Sequence, residues 1–219
     1  MNFDKLLEIA SKSKRIERKV SLHHGQSIYL KNSIKCMNFK KAFEDRDISS
    51  IYYDDHNLSS VRDNLDGVEK RLKFRLRFYN NNLISLNKEV KIKSGFLGYK
   101  ISNEIDSLKF KSISSIINDK SQFFKGYTSS ILKPSCIISY RRSYFHGLNG
   151  IRLTIDSKIN SSRVLNSSKF SSRYHQYEVI EFKYDIEQDT YFREIIFPKF
   201  QKFNVRMTKS SKYVRGIIG

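Results

Sequence analysis

The stretch Val68-Glu69-Lys70-Arg71-Leu72-Lys73-Phe74-Arg75-Leu76-Arg77-Phe78-Tyr79 sets cations at Arg71, Lys73, Arg75 and Arg77 and apolar side chains at Leu72, Phe74, Leu76 and Phe78. Successive side chains of a strand point to opposite faces, so the segment reads as a strand with one apolar and one wholly basic face. After a turn at Asn80-Asn81-Asn82 the chain returns as Glu89-Val90-Lys91-Ile92-Lys93, the same alternation with one carboxylate added. Like charges on one strand face repel. Carboxylates from neighbouring strands, or a bound anion, should therefore face them.

The same strand type recurs outward from this pair. Arg15 to Val20 places Arg15, Glu17 and Lys19 on one face, and Ile48 to Tyr53 is a further strand candidate. Ile137 to Phe145 aligns Tyr140, Arg142 and Tyr144. Gly150 to Asp156 sets Arg152, Thr154 and Asp156 against Ile151, Leu153 and Ile155, and Tyr177 to Asp185 sets Glu181, Lys183 and Asp185 against Ile180, Phe182 and Tyr184. Helical spacing appears at 3–10, raggedly at 26–43, at Leu58 to Leu65 before the turn dipeptide Asp66-Gly67, over 102–132, and in part of 190–206. Leu97-Gly98-Tyr99 and Phe145-His146-Gly147 read as ordinary turns, and the Ser- and Asn-rich stretch Ser157 to Ser172 as a mobile loop. With no composition break and no repeat, the expectation is one domain over residues 1–219. Polar-out alternation is the default for a wet antiparallel sheet. So few outward residues are neutral, however, that closure is the better reading, with the charged faces gathered inside and the apolar faces turned outward under helices. The fold class expected is α+β: a closed antiparallel β-barrel tunnel with flanking helices.

The chain of 219 residues carries a formal charge of +19 and a pI near 9.8. Such a balance points to a polyanionic partner: nucleic acid, an anionic membrane surface or phosphate chains. Sixteen Phe and thirteen Tyr supply enough apolar area for a core, which argues against disorder. No apolar run is long enough to span a bilayer, and Met1 to Lys14 has no secretory signature. Cys36 and Cys136 have no metal-type spacing, and free thiols in a reducing cytoplasm are the plain reading.

Arg presents a planar, permanently charged fork suited to phosphoryl oxygens. One alternating strand is most simply a solvated outer face; several in one chain favour a shared basic interior. Glu89 with Lys91, and Glu181 with Lys183, each lie on one strand face about 7 Å apart. A carboxylate among lysines can hold a divalent metal, or can simply pair across strands; the spacing leaves both open. His23-His24 precedes a Gly and reads as a surface loop, and His56, His146 and His175 as surface or local hydrogen-bonding residues. Walker, Rossmann, Ser-His-Asp, RNP and zinc-finger patterns are absent from the sequence.

In order, the pieces are Arg15/Glu17/Lys19, Ser50-Ile51-Tyr52-Tyr53-Asp54, Leu65-Asp66-Gly67 with Arg75/Arg77/Tyr79, Glu89/Lys91/Lys93, Tyr140/Arg142/Tyr144, Arg152/Thr154/Asp156, Glu181/Lys183/Tyr184 and Ser211-Lys212-Tyr213. Together they resemble the VTC (vacuolar transporter chaperone) catalytic domain, the polyphosphate polymerase branch of the triphosphate tunnel metalloenzymes. The resemblance implies a tunnel that binds ATP with a divalent metal (Mn or Mg) and moves its terminal phosphoryl group onto polyphosphate, releasing ADP. It implies phosphate contacts from Lys19, Arg75, Arg77, Lys91, Arg142, Arg152 and Lys212, all but Lys19 being counted as catalytic. Lys93, Lys100 and Lys183 would add to substrate binding, with hydroxyl donors from Tyr140 and Ser211. Glu181 would hold the metal, with Glu89 or Glu17 nearby. Val20 departs from the pattern, in which a Tyr follows the first strand's lysine. The regulatory phosphate-sensing domain and membrane segment of the fungal enzymes have no counterpart in these residues. The expectation is thus a cytoplasmic protein that meets a separate membrane partner or works as a soluble enzyme, without specific nucleic-acid binding. Two alternatives stay open: a triphosphate or polyphosphate hydrolase on the same tunnel, and a non-catalytic module binding polyphosphate, RNA or an anionic surface.

Overall fold

The computed structural model describes residues 3–10, 15–95, 97–108, 110–165 and 170–219, without the side chain of His24. The described strands are β1 (Arg15–His23), β2 (Lys40–Asp54), β3 (Lys70–Tyr79), β4 (Asn82–Ser94), β5 (Leu97–Ile105), β6 (Lys133–His146), β7 (Arg152–Val164), β8 (Phe170–Tyr174) and β9 (Tyr177–Asp185). The helices are α1 (Phe3–Ile9), α2 (His24–Ser33), α3 (Ser59–Leu65), α4 (Ile113–Ile117), α5 (Asp189–Tyr191), α6 (Phe197–Gln201) and α7 (Lys212–Ile218). A π-helical turn, Phe192–Ile196, joins α5 to α6. The sheet runs β6-β2-β3-β4-β5-β1-β9-β7-β8, and a further β6–β7 pairing closes its first eight strands into an antiparallel ring with β8 hung outside.

Local chemistry fixes the register. Asn80 and Asn81 both adopt left-handed backbone, φ 52° and 55°, and Tyr79 pairs with Asn82. Two successive positive φ values match the right-handed twist of a two-residue hairpin, and Asn tolerates them better than most residues. That turn sets Arg75 opposite Glu89, Lys73 opposite Lys91, and Arg71 opposite Lys93. The ring is weakest between β1 and β5, which pair only at Arg15↔Gly98 and Ile16↔Leu97. Beyond that point the C-terminal segment borders β1: Val20 bridges Met207, and the Thr208 N–H donates to the Lys19 carbonyl at 2.7 Å.

The apolar strand faces turn outward as expected. Phe74, Leu76, Phe78, Val90 and Ile92 pack under α1, α4 and the Phe110 and Phe124 loops. Leu153, Ile155, Ile180, Phe182 and Tyr184 pack under α2 and the Phe192–Phe200 helical run. A third cluster sits on the inner face: Ile48, Tyr52, Cys136, Ile138, Ile159 and Val179 meet Val61 of α3 and Tyr213, Val214 and Ile217 of α7. The C-terminal helix therefore seats against the inside of the ring at one end. Gly216 allows that approach, since a Cβ there would lie 2.7 Å from Ile138 Cδ1 and 2.9 Å from Cys136 Sγ. Gly216→Ala is expected to destabilise the protein by about 1–3 kcal/mol through overpacking, read as a lower Tm; an unchanged Tm would show that α7 is not held this tightly.

Four expectations are corrected. Residues 102–132 are not a helix: β5 extends to Ile105, and Ile113–Ile117 is the described helix there. The three- and four-residue apolar spacing instead belongs to a loop whose Phe110, Ile116 and Phe124 lie on the sheet's outer face. Leu97-Gly98-Tyr99 is no turn but the start of β5. The Ser/Asn stretch is largely strand, the β7–β8 pair, where Ser162 and Ser172 hydroxyls lie 2.8 Å apart; residues 166–169 of it lie outside the described residues. His23 ends β1 and His24 begins α2, so the pair marks a junction rather than a loop. His175 does bond locally, its Nε2 2.7 Å from the Ser161 hydroxyl. Cys36 and Cys136 are free thiols. Among the described residues no helix is long and apolar enough to cross a membrane.

Candidate active site

The alternation of β3 and β4 turns their charged residues toward the ring interior, and β1, β5, β6, β7 and β9 add theirs. Three carboxylate-centred clusters result. Glu89, 2% exposed, accepts from Arg75 Nε at 2.6 Å, and Lys100 Nζ and Arg77 Nη1 lie 3.2 and 3.8 Å from it. Burial pushes its carboxyl up, but Arg75, Arg77 and Lys100 outweigh that and hold it well below the usual carboxylate range.

The second cluster joins β1 to β9. Lys91 Nζ donates to Glu17 at 2.6 Å, Lys19 Nζ lies 3.5 Å from Glu181, and Arg142 reaches Glu181 at 3.6 Å. Lys183 Nζ stands between the two carboxylates, 3.6 Å from Glu17 and 3.5 Å from Glu181. Burial raises both groups, yet these lysines win: Glu17 falls to about 2, chiefly through Lys91, and Glu181 lies well below its ordinary value, chiefly through Lys183 and Lys19.

Asp156, 0% exposed, anchors the third cluster. Arg142 grips it through two bonds of 2.5 and 2.7 Å, and Lys212 from α7 donates at 2.5 Å. Tyr140 lies beside this group: its hydroxyl accepts from Arg77 at 3.1 Å, and Arg142 and Lys212 stand 5.2 and 4.8 Å from its ring centroid. Burial raises the Tyr140 hydroxyl, but Arg142 and Arg77 bring it below its usual value. Arg77 also donates to Ser50 at 3.1 Å, and Arg75 to Tyr52 at 3.1 Å.

A row of cations crosses three neighbouring strands, because Lys73 pairs with Lys91 and Lys91 with Lys100. Lys91 and Lys100 have carboxylate partners. Lys73 Nζ meets only neutral groups among the described residues, Ser211 Oγ at 2.9 Å and Asn64 Oδ1 at 3.1 Å. Burial, then Lys19, Lys91, Arg71 and Arg75, hold its pKa well below the usual lysine value. Lys93, opposite Arg71, is drawn down to about 8, mainly by burial, with Lys91 and Arg71 adding to it and Glu17 opposing. Arg152 stands apart from this core, exposed at one rim and paired in register with Lys183 and His146.

The structure thus brings Lys19, Arg75, Arg77, Lys91, Lys100, Tyr140, Arg142, Lys183, Ser211 and Lys212 to one interior and leaves Arg152 at its mouth. Sequence reasoning placed Lys73 on a basic strand face fit to bind phosphates without carrying it into the set of site residues, and it left Asp156, Ser50 and Tyr52 out of that set. Strand parity was the available signal for Lys73 and Asp156, which lie two positions from Arg75 and four from Arg152; Ser50 and Tyr52 reach the site through their register with Arg77 and Arg75, which needs the fold.

Among the described residues no three His, Cys, Asp or Glu side chains converge as a metal cage. Magnesium-type ions, however, are commonly held by one or two carboxylates together with substrate phosphates. Glu17 and Glu181, which already face one cation in Lys183, fit that donor set.

A model of the family described as the VTC domain matches residues 11–218. Among solved structures, a candidate adenylyl cyclase from Hippeastrum, described as having a dominant triphosphatase activity, superposes with a TM-score of 0.53 at 14% identity, covering 91% of this chain and 93% of that one. A candidate adenylate cyclase from Vibrio parahaemolyticus gives a TM-score of 0.53 at 15% identity, covering 93% and 98%. A protein from Pyrococcus horikoshii gives 0.52 at 13% identity, covering 92% and 97%. At these identities the likeness is one of fold. No curated protein sequence matches the chain.

Proposed function

This chain belongs to the VTC domain family, and on that premise we propose that it is a metal-dependent polyphosphate polymerase. It transfers the terminal phosphoryl group of ATP onto a polyphosphate chain inside the ring and releases ADP. The observation that carries this reading is the Lys73–Lys91–Lys100 row, in which Lys73 is a half-buried amine ringed by cations and lacking a carboxylate partner among the described residues. Like charges placed opposite one another cost stability. A site that retains them is organised for an anion that arrives from outside, and a chain of phosphates supplies the missing charge.

In this reading Arg75, Arg77, Lys91 and Arg142 orient the phosphates and neutralise charge as it moves to the leaving oxygens. Glu89 and Asp156 hold those cations in place beforehand, so little reorganisation is needed during transfer. Lys19, Lys100, Lys183 and Lys212 extend the phosphate track, with Lys93 toward one end and Arg152 at the rim, while Tyr140 and Ser211 offer hydroxyls. Glu181 and Glu17 would hold a Mn or Mg ion, which when bound would neutralise phosphate oxygens.

Purified protein with ATP and Mn or Mg should yield ADP with a lengthening phosphate chain. ADP with free phosphate alone would identify water as the acceptor and overturn the polymerase reading; no ADP at all would overturn the enzyme reading. The Lys73 argument predicts a second, opposed pair of effects. Lys73→Met should raise Tm by about 2–4 °C, corresponding to roughly 1 kcal/mol of relieved repulsion and burial. It should weaken tripolyphosphate binding about tenfold, the scale of one charged hydrogen bond. A variant both less stable and unaltered in binding would show that Lys73 is structural.

A further inference from the structure

The open rim of the ring carries a cleft of 380 Å³ that the phosphate-handling residues do not explain. Its size falls in the range of small-molecule sites. Its lining combines Tyr144 and Thr154, on the strand face of Arg142 and Asp156, with Phe145 and Leu153 of the opposite face, so it straddles the rim on the rungs next to the Arg142–Asp156 pair: Phe43 pairs with Tyr144, Tyr144 with Thr154, and Thr154 with Glu181. Apolar surface dominates the cleft, with His146 and Arg152 at its edge.

We propose that this cleft receives the nucleobase of the triphosphate held in the ring. The proposal rests on the tunnel reading above and adds to it a subsite that prefers a nucleotide over a bare phosphate chain. Phe43 is 61% exposed although it belongs to a strand of the ring, and it meets the Tyr144 ring only edge-on, centroids 6.0 Å apart at 87°. One face of the Phe43 ring is thereby left for stacking. The Thr154 hydroxyl is buried and has no hydrogen-bond partner among the described residues, so the cleft wall holds a polar group that an incoming heteroatom can satisfy. Arg46 lies 6.0 Å from the Tyr144 centroid and makes the rim cationic as well as aromatic.

Geometry selects the occupant. Tyr144 and Arg142 lie two residues apart on one strand face, about 7 Å. That is the scale of the ribose that separates a base from its phosphates. A base seated on Phe43 therefore places its phosphate chain at Arg142 without crossing another element. Stacking is indifferent to base identity because every base has a π face, so the subsite reads nucleotide against inorganic chain rather than one base against another.

The test is calorimetric titration of the intact protein with tripolyphosphate and with the β,γ-imido analogue of ATP. Wild type is expected to bind the nucleotide about tenfold more tightly than tripolyphosphate. Phe43→Ala should abolish that difference while changing the tripolyphosphate Kd less than about twofold, and Phe43→Tyr should restore it. Equal weakening of both ligands, or no change in either, overturns the base subsite. A wild-type protein that binds neither ligand overturns the tunnel reading itself, an outcome separate from loss of the preference alone.

Discussion

Arg75→Ala is expected to lower the rate of ATP consumption about 10²–10³-fold, the scale seen when one preorganised donor to a developing negative charge is removed, while the protein stays folded. The split follows from the bonding around Glu89. Arg75 reaches that carboxylate at 2.6 Å through Nε and at 2.5 Å through Nη2. Truncation does not orphan it, because Lys100 remains at 3.2 Å and Arg77 at 3.8 Å. Breaking a buried pair is costly when it leaves an unpaired charge, and here two cations stay in reach. What is lost is the fork. Arg75 binds Glu89 and Tyr52 with part of its guanidinium, and a planar guanidinium keeps further N–H donors for phosphoryl oxygens. Arg75→Lys keeps the charge but not the plane, so it should recover only part of the rate. Steady-state kinetics beside thermal melts decide the matter: a variant within fivefold of wild type, or one that fails to fold, removes Arg75 from the phosphate track.

The strands around this site were legible because their alternation is chemically extreme. In β3 every second residue from Arg71 to Arg77 is cationic, and only a strand sorts such a sequence into two faces. The interior position of those cations was legible too, since the apolar partners Phe74, Leu76 and Phe78 needed a cover that α1 and the Phe110–Phe124 region provide. Other features stayed hidden for physical reasons. β5 carries Gly98 and polar Ser102, Asn103 and Glu104, so no periodic signal marks it; its place is fixed by nine residue pairs with β4, a tertiary effect. The β7–β8 pair is built from Ser, Asn and Arg, with hydroxyl contacts in place of apolar packing. α7 is short, and its apolar residues gain their partners only once the ring exists. Its contribution to the site could not be inferred from spacing: Ser211 receives Lys73 and Lys212 reaches Asp156 from far along the chain.

Asp156 supplies the largest expected effect on stability. Asp156→Ala would leave the Arg142 guanidinium without its bidentate partner and Lys212 without its carboxylate, both in the buried interior. Among the described residues the carboxylate left to Arg142 is Glu181, 3.6 Å away and already shared with Lys19 and Lys183. Removing one member of a buried charged network commonly costs about 3–5 kcal/mol, which for a chain of this length lowers Tm by about 10 °C. The pH dependence gives a second, independent reading. Burial pushes the Asp156 carboxyl up, but Arg142 and Lys212 pull it down from 3.8 to about 2. A carboxyl with a depressed folded-state pKa contributes stability that is fully present above its unfolded value and is lost as pH falls through the folded one. The gap in stability between wild type and Asp156→Ala should therefore be constant near neutrality and shrink between about pH 4 and pH 2. Tripolyphosphate should narrow the same gap at neutral pH, because its oxygens can take the place of the missing carboxylate beside Arg142 and Lys212. If the gap is small at neutral pH and indifferent to acid, Asp156 does not organise these cations; if phosphate fails to narrow it, the two cations are structural and do not face the substrate.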